Sequence, residues 1–210
     1  MTNHDIHLKQ RAPASIEANY ISGKVTSNKD TILKFLGYAG REAPLPILQK
    51  IDTIILGIEG LLDIQYEYKT FHDYAFAIYT VGELIEEEIR AYLTKKEMMN
   101  ALILDKAAIV ALDAIKDAII ENIECDTQKF VSDEVYPASK NFPIENQKVI
   151  FDSFNNIDKI TINPFYQLSP IKSVGVKFSL ATRKKKFNRC KDCENPCENK
   201  QASRRSNRCL

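Results

Sequence analysis

The chain lacks the residue patterns that mark several common classes of protein. It has no uninterrupted run of eighteen apolar residues, so we expect no membrane span. Its first twenty residues mix polar and charged side chains, without the apolar core that a signal peptide needs. We therefore expect a cytoplasmic protein. Hydrophobic and charged fractions of 44% and 27% are ordinary for a globular domain.

Motifs for catalysis and nucleotide binding are also missing. The chain has only three histidines, His4, His7 and His72, and none stands in a sequence context that indicates Ser-His-Asp or Cys-His catalysis. No P-loop or dinucleotide fingerprint is present. We interpret the GYAG segment at residues 37–40 as a helix C-cap, because no Lys-Ser/Thr pair follows it. No catalytic residue is predicted.

Charge and cysteine are unevenly distributed along the chain. Residues 183–210 hold ten Lys/Arg and three Asp/Glu, a balance of +7, whereas the remaining 182 residues carry a balance of −6. This asymmetry predicts an acidic body, residues 1–182, and a basic tail, residues 183–210. The tail has no aromatic interleaving, which makes nucleic-acid binding an unfavoured interpretation. The body contains only Cys125, which we interpret as a small buried hydrophobe.

The other four cysteines lie in the last 21 residues, and this clustering excludes a disulfide framework spread through the fold. Cys190, Cys193 and Cys197 form a C-x2-C-x3-C pattern, with Cys209 as a possible fourth ligand. Four thiolates suit tetrahedral Zn²⁺ or an iron–sulfur cluster. The alternative is a disordered tail of reactive cysteines, because residues 198–208 have almost no apolar content.

Apolar spacing predicts the elements of the body. Residues 20–25 indicate a possible strand, residues 28–37 a short helix, and residues 44–62 a long helix with one buried stripe. An alternating strand is predicted over residues 63–71 and a central apolar strand over residues 74–80. A helix follows at residues 83–94, and then one long helix or two closely packed ones over residues 95–125. Residues 133–180 indicate a loop, an amphipathic helix, a turn, a strand, a Pro-centred turn and a second strand.

Five short motifs, taken in order, carry a family resemblance. A T-L-G-x-E pattern is similar to Thr80–Leu84, and a leucine-aspartate pair is similar to Leu104-Asp105. A P-L-x-x-Q-x-x-I-F helix is similar to Pro143–Phe151, a P-x-K-S-V-S strand to Pro170–Gly175, and an F-L-G-Y element to Phe35–Tyr38. Over residues 28–180 the chain thus resembles the activation domain of cobalamin-dependent methionine synthase, most closely its stand-alone bacterial form.

The resemblance implies a fold and a function. The implied fold is α+β, with a central twisted antiparallel sheet and packed helices. In that family the domain binds S-adenosylmethionine beside the corrin of a partner and helps return cob(II)alamin to methylcobalamin, while the cofactors carry the chemistry. The resemblance therefore implies an accessory protein that docks on the corrinoid module of a methionine synthase or related methyltransferase. A flavodoxin-like or ferredoxin-like protein would supply the electron.

The resemblance also implies a ligand site. The family loop R-x-x-P-G-Y aligns with residues 134–139, and a carboxylate on the long helix can meet the amino group of the ligand. The cofactor-binding residues implied are Glu121, Tyr136, Pro137, Ala138, Ser139 and Tyr166.

This sequence departs from the loop pattern at three positions. Glu134 stands for the arginine that grips the ligand carboxylate, Ala138 for the glycine and Ser139 for the tyrosine. Two alternatives to the accessory function stay open. One is a metal or iron–sulfur redox protein, built on a diverged scaffold that no longer binds S-adenosylmethionine. The other is a methyltransferase that uses S-adenosylmethionine directly.

Overall fold

Helices cover one face of a four-stranded antiparallel sheet in the computed structural model, which describes residues 16–183. The α+β class expected from the resemblance is therefore confirmed. None of the helices in residues 16–183 is long and apolar enough to cross a membrane. The α-helices are α1 (Ala18–Ser27), α2 (Lys29–Leu33), α3 (Leu45–Gly57), α4 (Leu84–Thr94), α5 (Met98–Thr127) and α6 (Asn146–Phe151). A π-helix (Lys34–Tyr38) follows α2, and a 3-10 helix (Ile58–Leu61) follows α3. The strands are β1 (Gln65–Thr70), β2 (Tyr74–Thr80), β3 (Phe130–Val135), β4 (Thr161–Ile162), β5 (Leu168–Ser169) and β6 (Ser173–Ala181).

The last strand lies inside the sheet. The strand order is β1-β2-β6-β3, and every neighbouring pair is antiparallel. The apolar run that predicted a central strand is β2, and six of its seven residues are buried. β4 and β5 form a separate two-stranded sheet. The central pair of the main sheet is therefore β2 and β6, which meet with Ile78 opposite Gly175.

The two faces of the sheet carry different covers. On one face, alternate residues such as Tyr79 and Phe178 belong to the main core, together with buried residues of α1, α3 and α5. On the other face, Phe76 and Ile78 pack in a smaller cluster with Ile150 of α6. The strict alternation along β2 and β6 places both cores on one pair of strands. The sheet therefore separates a large helical layer from a thin layer that contains α6.

Two predictions for the helical layer can be compared directly with the fold. The segment after residue 95 is one helix of 30 residues, the first of the two alternatives. The possible strand at residues 20–25 is wrong, because these residues lie in α1. Ile21 and Val25 are both fully buried, and their spacing of four places them on one side of a helix. The loop predicted at the start of residues 133–180 begins at residue 136 instead of 133, because β3 extends to Val135.

Candidate functional site

Three of the motifs behind the family resemblance meet where β2 ends and β6 begins. The Thr80 hydroxyl donates a hydrogen bond of 3.0 Å to the Lys172 carbonyl, and the Val81 amide donates one of 3.3 Å to the same oxygen. The Gly82 amide donates to the Thr80 hydroxyl at 3.0 Å. Thr80 is fully buried, so these bonds satisfy polar groups that water cannot reach. We call this region the motif junction. It comprises residues 80–82, Lys172 and Gly175, together with their partners Glu86, Asp105 and Gln147, which are described below.

Lys172 connects the motif junction to α5. Its Nζ lies 2.5 Å from Asp105 Oδ1, and the Lys106 Nζ lies 2.9 Å from the other oxygen of the same carboxylate. The Lys172 amide donates to Glu86 of α4 at 2.9 Å. Burial raises the pKa of Asp105, but hydrogen bonds from Lys172 and Lys106 outweigh it, so the pKa lies below its usual value. The leucine-aspartate motif and the P-x-K-S motif are therefore ion-pair partners.

Gly82 has a backbone conformation that glycine favours. Its φ is +90°, and a Cβ built on it would lie 2.6 Å from both the Cβ and the carbonyl oxygen of Asp63. The Asp63 amide donates to the Val81 carbonyl at 3.0 Å, which fixes this close approach. A side chain at position 82 would meet strain and collision together. The glycine of the T-V-G-E segment is thus required by the geometry of the junction.

The fourth motif enters the same pair of strands from the other face of the sheet. Gln147 of α6 is only 7% exposed, and its side chain lies over Gly175. A Cβ at position 175 would lie 2.1 Å from Gln147 Nε2. Among the described residues, neither Gln147 Nε2 nor Ser173 Oγ has a hydrogen-bond partner. The glycine therefore lets the buried amide of α6 approach β6.

The loop after β3 makes a tight turn. The Ser139 amide donates to the Tyr136 carbonyl at 3.2 Å, and Ala138 between them has a φ of +71°. Ala138 keeps the left-handed conformation that glycine adopts without strain, although its own side chain disfavours it. Ala138 is exposed, whereas Tyr136, Pro137 and Ser139 are half-buried. The loop thus contains a left-handed turn of the kind that glycine favours.

A buried lysine lies under this loop. Lys116 of α5 is 5% exposed, and its Nζ lies 3.5 Å from Glu134 Oε2 and 3.1 Å from Asp113 Oδ1. The same Nζ donates a hydrogen bond of 3.0 Å to the Tyr136 hydroxyl and lies 5.7 Å from the centre of its ring. Burial raises the pKa of Tyr136, and the positive charge of Lys116 opposes this rise. We call these four residues the Lys116 cluster.

Sequence reasoning missed Lys116. The signal was its position three and seven residues before Ile119 and Ile123, which places a cation on the buried stripe of α5. A buried lysine needs an anionic or hydrogen-bonding partner.

Glu121 does not join the loop in one cavity. It is exposed and lines a groove of about 300 Å³ between α5 and the segment of α1 and α2. Asp113 and Asp117 precede it at intervals of four residues, with Tyr20 of α1 on the opposite side. No residue of the loop after β3 lines this groove. Of the implied ligand residues, Tyr136, Pro137, Ala138 and Ser139 are together, and Glu121 is not with them.

Tyr166 lies in another turn. It occupies the connection between β4 and β5 with a φ of +63°, and its amide donates to the Asn163 carbonyl at 3.0 Å.

The predicted metal ligands Cys190, Cys193, Cys197 and Cys209 lie outside the described residues. Within residues 16–183, no group of three or more His, Cys, Asp or Glu side chains could hold a metal ion. Cys125 was expected to be buried, and this is wrong, because it is exposed. It lies near the end of α5, two residues after Ile123, outside the buried stripe.

The loop residues do not fit S-adenosylmethionine in the way that the resemblance implies. A carboxylate, Glu134, stands at the position of the arginine. Its side chain is 9% exposed and lies 3.5 Å from the Lys116 Nζ. The Ser139 amide is bonded within the turn. Glu121 lies on α5, and Tyr166 lies in the connection between β4 and β5.

A scan against protein-family models finds no match for the chain, and a search of curated proteins finds none that matches significantly.

Proposed function

We propose that this chain is an accessory protein of a cobalamin-dependent methionine synthase or a related corrinoid methyltransferase in the cytoplasm. It docks on the corrinoid module of that partner and supports the reductive methylation of its cobalamin. The observation that carries this proposal is the motif junction. Four sequence motifs from positions 80 to 175 lie together where β2 ends and β6 begins.

The contacts within the junction are specific enough to support the resemblance. Chance matches to short motifs would be scattered over the fold, whereas Lys172 bonds directly to both Thr80 and Asp105. Gly82 is the residue that the local backbone allows, and Gly175 leaves room for the Gln147 side chain. A glycine at a position where a side chain would collide is a physical reason for a motif. The resemblance therefore rests on a set of mutually dependent residues.

The surface beside the junction offers a place for docking. Ile171 immediately precedes the junction lysine and is 78% exposed. An exposed apolar side chain next to a rigid, hydrogen-bonded turn can enter a partner surface without ordering the chain first. We propose that Ile171 lies in the contact with the corrinoid module.

The test measures association with a recombinant corrinoid module of a cobalamin-dependent methionine synthase. Under anaerobic conditions, biolayer interferometry should detect saturable binding of the full chain to the module loaded with cob(II)alamin. Ile171→Asp should weaken binding at least about tenfold, as expected for a central interface side chain. Leu56→Asp is the matched control, because Leu56 is 85% exposed on α3. Absence of binding by the wild type, or equal effects of the two substitutions, would contradict the proposal.

A further inference from the structure

The loop after β3 contains its own carboxylate and its own cation. We infer, building on the proposed function, that the Lys116 cluster closes this loop and that the loop does not take the carboxylate of S-adenosylmethionine. Glu134 stands where the resemblance places the ligand-gripping arginine, and Lys116 lies 3.5 Å from it. The chain thus supplies internally the pair of opposite charges that the family forms with its ligand.

The donors of Lys116 are already used. A lysine ammonium has three N–H donors and no acceptor. The Lys116 Nζ has three oxygens within 3.5 Å, one each from Asp113, Glu134 and Tyr136. A ligand carboxylate at this point would have to displace one of them. It would also face the like charges of Asp113 and Glu134, which disfavours its approach.

Burial makes the pair hard to open. Lys116 is 5% exposed, and the Glu134 side chain is 9% exposed. Removing one partner of a buried ion pair leaves the other charge without compensation in a poorly solvated site. The pair also ties α5 to β3. The hydrogen bond from Lys116 to Tyr136 ties α5 to the first residue of the turn. The closed loop is therefore a structural part of the sheet edge.

The backbone of the loop is occupied as well. The Ser139 amide donates to the Tyr136 carbonyl, so it does not face outwards as a donor for a ligand. Ala138 makes a left-handed turn at the position where the resemblance places a glycine. The loop therefore resembles the family in backbone form, while its side chains bind each other.

Titration calorimetry on the full chain tests the first half of the inference. We expect no saturable heat with S-adenosylmethionine up to about 1 mM, a concentration that corresponds to weak binding of a small ligand. Saturable binding with a Kd below 1 mM would overturn the inference. The same preparation is tested for association with the corrinoid module in the absence of S-adenosylmethionine. If the chain binds S-adenosylmethionine and also associates with the corrinoid module, only this inference is refuted. If it binds neither S-adenosylmethionine nor the corrinoid module, only the proposed function is refuted.

A double-mutant cycle tests the second half. Lys116→Met should lower the Tm by about 10 °C, because it leaves the buried Glu134 carboxylate without its lysine. Glu134→Leu should lower the Tm by less, because Asp113 Oδ1 still lies 3.1 Å from the Lys116 Nζ. The double variant should recover most of that loss, since replacing both charges with apolar side chains is often neutral. Lys148→Met is the matched control in an exposed pair with Asp152, at 2.9 Å, and should change the Tm by less than about 2 °C.

The cycle remains decisive when a single variant does not fold. In that case, a folded double variant with a Tm close to the wild type supports the coupling of Lys116 and Glu134. A double variant less stable than a folded single one, or single losses that simply add, would overturn the closed-loop inference.

Discussion

Gly82 offers the sharpest test of the motif junction, because strain and collision coincide there. Alanine at position 82 would have to adopt a φ of +90° and place its Cβ 2.6 Å from two atoms of Asp63. One of those atoms is a carbonyl oxygen, so a side-chain rotation cannot relieve the collision. We therefore expect Gly82→Ala to cost more stability than alanine at a glycine that has a positive φ without this collision.

The magnitude follows from two contributions. An L-residue in the left-handed region costs roughly 1–2 kcal/mol relative to glycine. Forcing an extra methyl group into packed surroundings costs about 1–3 kcal/mol. Together they predict a loss of roughly 2–5 kcal/mol, which for a chain of this size corresponds to a fall in Tm of about 5–15 °C.

Three other glycines separate the two contributions. Gly40 has a φ of +73° with no atom within 4 Å of a built Cβ, so Gly40→Ala should show the backbone cost alone. Gly175 has no positive φ but meets Gln147, so Gly175→Ala should show the collision alone and should lose less when Gln147→Ala is also present. Gly23 lies inside α1 in open space, and Gly23→Ala should raise stability by about 0.5–1 kcal/mol.

Urea unfolding followed by circular dichroism measures all four substitutions under one condition. The expected order of loss is Gly82, then Gly175 and Gly40, with a gain at Gly23. If Gly82→Ala lost no more stability than Gly40→Ala, the close approach of Asp63 would not be present in solution. The geometric reason for the T-V-G-E motif would then fail.

The remaining predictions concern one ion pair, one turn and the tail. The lowered pKa of Asp105 means that its contribution is present above an ordinary aspartate pKa of about 3.9 and is lost as the pH falls through the lower folded value. Asp105→Asn should therefore cost about 1 kcal/mol in urea unfolding at pH 7, and the difference should shrink towards pH 3; a constant difference would contradict this. Ala138→Gly should raise the Tm by about 2–4 °C by removing left-handed strain, whereas Ala39→Gly, at an ordinary φ of −59°, should lower it. Metal analysis after anaerobic purification should find zinc or iron in the full chain, lost in Cys190→Ser and retained in Cys125→Ser; a metal-free wild type would remove the predicted tail site.

The elements that the sequence predicts well are those with a strong local pattern. The apolar run of β2 and the long Ala-rich and Ile-rich segment of α5 determine their own structure, because each must be covered by other elements. β3 could not be found in this way. Its six residues include Ser, Asp and Glu, and the strand forms because its backbone pairs with β6 across a bulge near Val131. Long-range pairing of this kind leaves little trace in a local pattern.

The candidate site shows the same limit. The motifs behind the resemblance include Thr80, Asp105 and Lys172, but the contacts of Lys172 with the other two could only come from the fold. Glu121, which the resemblance implies as a ligand residue, follows two isoleucines in the sequence, yet it is exposed in the groove beside α1 and α2. Neighbours in a helix sequence point in different directions, so apolar flanking residues do not establish burial. Lys116, five residues earlier, is the charged residue that α5 actually buries.

The motif junction and the Lys116 cluster depend on different contacts, and this explains how one can persist while the other changes. The junction is held by the end of β2, the start of β6 and residues 86 and 105. The cluster is held by the edge strand β3 and a later turn of α5 around Lys116. A substitution at Glu134 alters the charge under the edge loop without moving any hydrogen bond of the junction. Under the proposed function, the docking surface beside Ile171 therefore does not depend on the charges of the Lys116 cluster.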